Sequence, residues 1–327
     1  MVPVVAFMNL KGGVGKTTLA GNTIRSLADI TKLKILLMDL DSQCNLTQMF
    51  CSADDIDRRG GRSVYQCFES KHFFKEPPGP SDLKVLLYRN NAGSLIDIIY
   101  GSFETFRLAV AMPGGLVSNA AVKHFYNFME KAKAEYDLIV LDTNPSATFT
   151  TLCALDAANF LVAPITMDTF SMRGIHLLTH VLKGRYQWLG NPKRVRIMPN
   201  RIPVTSDGKA LERLEREEKE VRQKFPHLED SIMLSRIHES KLLSHKASEG
   251  NFVADRRVWP MHKHWKARVK ADFDGAAKEI LLSVKEAFGD AAGHEENTLD
   301  ALRRQLEENP ARLVGRPEGG VEDRIRI

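Results

Sequence analysis

Three glycines, Gly12, Gly13 and Gly15, crowd four positions of the run NLKGGVGKTT (9–18), which ends in Lys16, Thr17 and Thr18. Ahead of it stands VPVVAFM (2–8), short, apolar and β-branched. Behind it TTLAGNTIRSLADI (17–30) places Leu19, Ile24, Leu27 and Ile30 at roughly helical spacing. Strand, glycine loop and helix in that order leave few architectures open. With no side chains in the way, the loop's backbone N–H groups can face an anion, and the helix start adds its positive pole. Such loops lie beyond the carboxyl ends of strands in a parallel sheet.

The spelling of the loop is unusual. A phosphate loop commonly reads Gly, four residues, then Gly-Lys-Ser/Thr. Gly15, Lys16 and Thr17 close the pattern, but Leu10 stands where the first glycine belongs, and a second lysine, Lys11, follows it. Lys16 is placed to meet the β- and γ-phosphates of a nucleotide, and Thr17 to offer its hydroxyl to the Mg²⁺ that bridges them. Val14 and Thr18 complete the cradle.

The rest of the chain repeats the alternation. KILLMDLD (34–41) is a second buried-type strand, ending in Asp39 and Asp41. SLIDIIYG (94–101), DLIVLDTNPS (137–146), NFLVAPIT (159–166) and RVRIMPNR (194–201) read as further strands. Helices are expected over 121–136, around 171–187, over 209–225 and over 274–288, while 64–70 looks helical and 75–82 reads as a surface loop. Strands alternating with helices predict an α/β fold of the P-loop NTPase type, a mostly parallel central sheet with helices on both faces. The clusters at 9–18, 39–41 and 142–146 all fall at strand carboxyl ends. From about Ala291 the composition turns polar, so one domain over 1–290 and a flexible tail over 291–327, with a short helix at 298–308, are expected.

Asp142 ends an apolar strand, where an acid can hold Mg²⁺ through water. Asp39 and Asp41 alternate onto one face and either order an attacking water or aid the metal. Asp41, nearer the open end, is the better placed of the two for the water. TNPS (143–146) is rich in turn formers, and such a segment can move when a γ-phosphate leaves.

Apolar residues at 43% and charged residues at 27% suit a soluble globular protein, and no apolar run reaches the length of a membrane span. VPVVAFM is preceded by no basic region, which argues against a signal peptide. Cys44, Cys51, Cys67 and Cys153 form no C-x-x-C pair, so their spacing does not support cluster or metal ligation, and a reducing cytoplasm is expected. The net charge of +5 is uneven: residues 183–270 hold 21 Lys/Arg against 11 Asp/Glu, a net of +10. Such asymmetry suits a polyanionic partner. RRVWPMHKHWKARVK (256–270) is its densest stretch; if helical after Pro260, Lys263, Lys266 and Lys270 share a face.

KGGVGKTT, LLMDLDSQCNLT, YDLIVLDTNPS and FLVAPITMDTFSMRGI together resemble the deviant-Walker ATPases of the ParA/MinD group, across about residues 2–290. Asp41-Ser42-Gln43 stands where the ParA form usually has Asp-Pro-Gln, and SRIHESKLLSHKASEG (235–250) is similar to the family segment that begins Ile-Pro-Arg. The likeness is to short ParA forms without an N-terminal DNA-reading domain. It implies that Lys11 crosses a dimer interface to the partner's nucleotide, while Lys16 serves the phosphates of its own subunit. It further implies Thr17 and the Walker B acid Asp142 around Mg²⁺, Asp41 on the hydrolytic water and Asn200 on adenine. The cofactors would be ATP and Mg²⁺, and hydrolysis would be slow. The partners would be a second copy in the ATP state, non-specific DNA and a ParB-like adaptor that stimulates hydrolysis, at a cytoplasmic, nucleoid-associated location.

Lys241, Lys246, Arg256, Arg257, Lys263, Lys266 and Lys270 are the candidate DNA contacts. Glu239 departs from the ParA pattern by replacing an arginine; Lys241 and Lys246 compensate, or else the DNA surface lies in 256–270. A MinD-like role at a membrane surface is the alternative, but TLDALRRQLEE and EDRIRI have narrow apolar faces, and membrane attachment is not expected. A biosynthetic or electron-transfer relative is a further reading, against which the unpaired cysteines speak. A scaffold that binds ATP without hydrolysing it is another, against which Asp41 speaks.

Overall fold

The computed structural model describes residues 1–52, 54–55, 62–69, 77–110, 119–166, 168–204, 208–240, 243 and 263–289. Its centre is a sheet of eight strands: β1 (Val4–Phe7), β2 (Lys34–Asp39), β3 (Val85–Arg89), β4 (Leu95–Ile99), β5 (Leu138–Asp142), β6 (Phe160–Thr166), β7 (Val195–Ile202) and β8 (Ile237–His238). The strand order is β3-β4-β2-β5-β1-β6-β7-β8. Every pairing is parallel except β3 with β4. Seven helices matter here: α1 (Lys16–Ile30), α2 (Asn45–Phe50), α3 (Asn119–Glu135), α4 (Phe149–Ala157), α5 (Thr169–Val181), α6 (Gly208–Lys224) and α7 (Lys263–Phe288).

Parallel strands covered on both faces need apolar residues at consecutive positions, and β1 and β5 are buried throughout. Strand alternation then divides the core in two. Val4, Ala6, Leu36, Met38, Ile139 and Leu141 face one layer, with Phe125 and Phe128 of α3 and Met172 and Ile175 of α5. Val5, Phe7, Ile35, Leu37, Leu138 and Val140 face the other, with Leu19, Ile24 and Leu27 of α1 and Phe273, Ala276 and Ile280 of α7.

The architecture expected from the sequence is present, with corrections in detail. The predicted helix over 171–187 begins at Thr169 and gives way to a 3₁₀ turn after Val181. The last helix starts at Lys263. Strand β3 lies outside the sequence reading because it is a half-exposed edge strand with no clean alternation. It pairs with β4 through a turn in which the Asn90 N–H donates to the Ser94 carbonyl and the Ser94 N–H to Asn90 Oδ1. The tail over 291–327 lies outside the described residues. No helix among the described residues is long and apolar enough to cross a membrane.

Candidate active site

The glycine loop joins β1 to α1 at the middle of the sheet, between β5 and β6. Gly13 and Gly15 hold φ of 75° and 89°, the left-handed region that turns successive N–H groups to one side. Asn9 pins the loop's start: its Oδ1 accepts from the Lys11 N–H at 3.0 Å, and its Nδ2 donates to the Pro164 carbonyl at 2.7 Å. Asn200, from β7, pins the other side by donating Nδ2 to the Val14 carbonyl at 2.8 Å. A Cβ at Gly15 would stand 2.6 Å from that Nδ2. Gly15→Ala is therefore expected to destabilise the fold by about 2 kcal/mol through strain and displacement of Asn200. Nucleotide affinity is expected to fall with it; denaturant unfolding and titration with fluorescent ADP check both.

Register brings the acids together. Asp39 and Asp142 end neighbouring strands at the same level, and Phe7, the last residue of β1, is level with Asp142. Both oxygens of Asp142 are buried without a well-formed hydrogen bond. Burial pushes its pKa well above the usual range and Asp39 adds to this, while Thr17 and Lys16 favour the charged form. Lys16 is itself buried, which lowers its pKa, with Asp142 and Asp41 opposing the shift. A buried acid with orphaned oxygens beside a helix-start hydroxyl fits a hard divalent cation. Thr17 and Asp142 are the residues that would hold Mg²⁺. Among the described residues no group of three or more His, Cys, Asp or Glu could hold a metal.

Asp39, expected to serve the water or the metal, has its oxygens engaged elsewhere. Oδ2 accepts from the Thr47 N–H at 2.8 Å and Thr47 Oγ1 at 2.7 Å, and Oδ1 from the Asp41 N–H at 3.3 Å. It anchors α2 and the Asp41 turn. Burial raises its pKa to about 7 despite these donors. The folded protein thus holds a proton that the unfolded chain, titrating near 3.8, releases earlier. Stability is expected to fall as pH rises from about 4 to 7. Asp39→Asn, which keeps an acceptor for Thr47 and removes the charge, should flatten the slope in urea unfolding measured from pH 5 to 8.

Asp41 is buried, and its Oδ1 accepts from the Gln43 N–H at 2.9 Å and from Asn144 Nδ2 at 2.8 Å. Asn144 therefore ties the segment after β5 to the acid after β2. A cavity of about 760 Å³ opens beside the loop, from Gly15, Thr18 and Leu19 past Asn200 to His238, Arg268 and Asp272.

Lys11 points away from its own loop. Its Nζ donates to Asp168 Oδ2 at 3.0 Å, Ser171 Oγ at 3.2 Å and Thr166 Oγ1 at 3.4 Å. Asp168 is the N-cap of α5, accepting from the Ser171 N–H at 2.8 Å. Burial would raise the Asp168 carboxyl, but hydrogen bonds from Thr166, Ser171 and Lys11 outweigh it and hold it at about 2.

Residues 2–192 match the family model described as an AAA domain. Chromosome-partitioning ATPase Soj of Thermus thermophilus is 27% identical over 286 residues, 86% of this chain and 97% of that protein. The chain belongs to the ParA family of P-loop ATPases. A virulence plasmid ParA family protein of Chlamydia psittaci is 30% identical over 175 residues, 52% of this chain and 60% of that protein. Among solved ParA-type folds, a Borrelia burgdorferi plasmid partition protein bound to AMPPNP aligns with a TM-score of 0.62 at 18% identity, covering 86% of this chain and 99% of that one. A ParA from pNOB8, bound to nonspecific DNA, aligns at 0.58 and 18% identity over 88% of this chain and 99% of that one.

In this ParA-family chain the loop from Gly12 to Thr18, Asp39, Asp41, Asp142 and Asn200 converge at the carboxyl ends of the inner strands. Lys241, Lys246, Arg256 and Arg257 lie outside the described residues, as do the side chains of Lys263 and Lys266. Lys270 is paired with Asp274 at 2.6 Å. Within the same stretch Arg213 pairs with Glu217, Lys224 with Glu220, Arg222 with Glu229 and Arg236 with Glu218, pairs that the net of +10 already counts. Sequence reasoning passed over Asn9, Thr47, Asn144, Asp168 and Ser171. Asp168-Thr169-Phe170-Ser171 carries a helix-capping pattern that marks Asp168; the others have no signal beyond being polar and near a strand end.

Proposed function

We propose that this protein is an ATP-dependent dimerisation switch of the ParA type. It hydrolyses ATP slowly, binds DNA without sequence preference in the ATP state, and partitions or positions a cargo whose ParB-like adaptor stimulates hydrolysis. The observation that carries the reading is the division between the two loop lysines. Lys16 is buried against Asp142 and Asp41 of its own subunit, whereas Lys11 leaves the loop and rests on the start of α5. A lysine turned outward at the edge of a phosphate site is suited to a second subunit's nucleotide.

The N–H groups of Gly13 to Thr17 and Lys16 bind and orient the phosphates. Asp41, fixed by Gln43 and Asn144, orients the attacking water. Thr17 and Asp142 would hold Mg²⁺, which would neutralise charge on the phosphates. Two subunits facing one another across two ATP molecules bring negative charge together, and Lys11 given in trans offsets part of it. Because the γ-phosphate is shared, ATP favours the pair over ADP, and hydrolysis releases it.

DNA attachment would follow from pairing, since each subunit alone contacts few phosphates and the pair doubles them. The test is retention on random-sequence DNA at several salt concentrations. Retention with ATP that falls steeply with salt, and little retention with ADP, is expected; equal retention with both nucleotides would sink the proposal.

A further inference from the structure

The segment after β5 carries a half-buried side chain, Asn144, that meets a group on each side of it. Its Oδ1 accepts from the Ser146 N–H at 2.7 Å, and its Nδ2 donates to Asp41 Oδ1 at 2.8 Å. A backbone N–H only donates and a carboxylate only accepts, so the amide has one orientation here. Turned over, it would set its NH₂ against the Ser146 N–H and its oxygen against the carboxylate. The Gln43 N–H also donates to Asp41 Oδ1, at 2.9 Å. Both donors converge on Oδ1, and Oδ2 is the oxygen left for a water.

The backbone around this contact is fastened by other bonds. The Leu40 N–H donates to the Asp142 carbonyl at 3.0 Å, and Thr150 Oγ1 to the Leu40 carbonyl at 3.1 Å. Thr143 Oγ1 donates to the Phe7 carbonyl at 2.9 Å, and Thr151 Oγ1 to the Ser146 carbonyl at 2.9 Å. These bonds hold the ends of β1, β2 and β5 and the start of α4 together without the Asn144 amide. What the amide adds is a restraint on one carboxylate. The last torsion of an aspartate is soft, and a single hydrogen bond leaves the group free to swing about it. A second donor, from another segment, fixes its plane.

We propose that Asn144 is a positioning residue for ATP hydrolysis: its amide holds the Asp41 carboxylate so that Oδ2 faces the attacking water. The proposal rests on the reading of Asp41 as the water-orienting acid. In hydrolysis the water oxygen bonds to the γ-phosphorus as the bond to the bridging oxygen breaks. That electron pair leaves with ADP, and the water's proton ends on the released phosphate. The two oxygens must lie in line across the phosphorus, so a carboxylate that swings keeps the water off that line for much of the time. Rate is then lost while nucleotide binding stays. Asn144 acts on the reaction through Asp41.

The test measures phosphate release from ATP in single turnover. ADP affinity, ATP-dependent dimerisation and urea unfolding are followed on the same variants. Asn144→Ala is expected to slow hydrolysis about 10-fold, with ADP affinity within about twofold of wild type and the ATP dimer retained. Asn144→Asp keeps an acceptor for the Ser146 N–H, and so keeps the turn, but presents Asp41 with an acceptor where a donor is needed. It is expected to slow hydrolysis about 100-fold while the protein stays folded. In Asp41→Ala, already slow, adding Asn144→Ala is expected to cost nothing further, because the two residues act as one unit. Hydrolysis at the wild-type rate by either Asn144 variant overturns the inference. So do losses that multiply in the double variant, ADP affinity that falls as far as the rate, or loss of the fold in both variants. No phosphate release by the wild type, or wild-type release by Asp41→Ala, overturns the reading of Asp41 as well.

Discussion

Lys16→Gln is expected to lower the affinity for ADP and ATP about 100-fold while the protein stays folded. A charge-assisted contact from a lysine to phosphate contributes about 1.5–3 kcal/mol, and Lys16 faces more than one phosphate oxygen. Glutamine keeps most of the volume, so the loop and Leu19 behind it lose little packing. Stability should change little, because burial already disfavours the ammonium. What the lysine adds in the empty protein is partial neutralisation of Asp142 and Asp41. Titration with fluorescent nucleotide, run beside urea unfolding, separates lost binding from lost fold. Unchanged affinity would remove Lys16 from the phosphate site.

Lys11→Ala should have the opposite profile. The lysine touches Asp168, Ser171 and Thr166 and no part of its own phosphate cradle, so monomeric ADP binding is expected within about threefold of wild type. ATP-dependent dimerisation, followed by sedimentation or light scattering, should vanish. The contact with Asp168 opposes release of the lysine, but its ion pair is half exposed and of modest strength. Asp168→Asn preserves an N-cap for α5 while weakening that hold, so it is expected to favour the ATP dimer slightly. Dimerisation of Lys11→Ala with ATP at wild-type concentrations would defeat the trans assignment of this residue.

Much of this site is legible one segment at a time. VVAF, KILLMD and LIVLD announce buried strands, and each is followed by glycine or acid at its carboxyl end. The element types follow because they depend on residues a few positions apart. Other features escape because they depend on distant partners. VLLYR carries no periodic signal and becomes a strand because β4 offers an antiparallel edge. The charge count over 183–270 suggests a basic face but cannot say which bases stand beside acids, as Arg213 and Lys224 do one turn from Glu217 and Glu220.

By itself the sequence determined the strand-loop-helix unit around Lys16, the glycine positions that permit positive φ, and the two-lysine spelling that marks the family. These are local consequences of backbone sterics and hydrophobic periodicity. Only the tertiary structure decided that β5 lies between β1 and β2, which sets Asp39 level with Asp142 and buries both, and that burial pushes both pKa values up. It likewise brought Asn200 to Val14 across 186 residues, Asp168 to Lys11 across 157 and Asp272 to His238 on the wall of the cavity. Strand order is set by which apolar faces can be buried together, a property of the whole chain that no single segment contains.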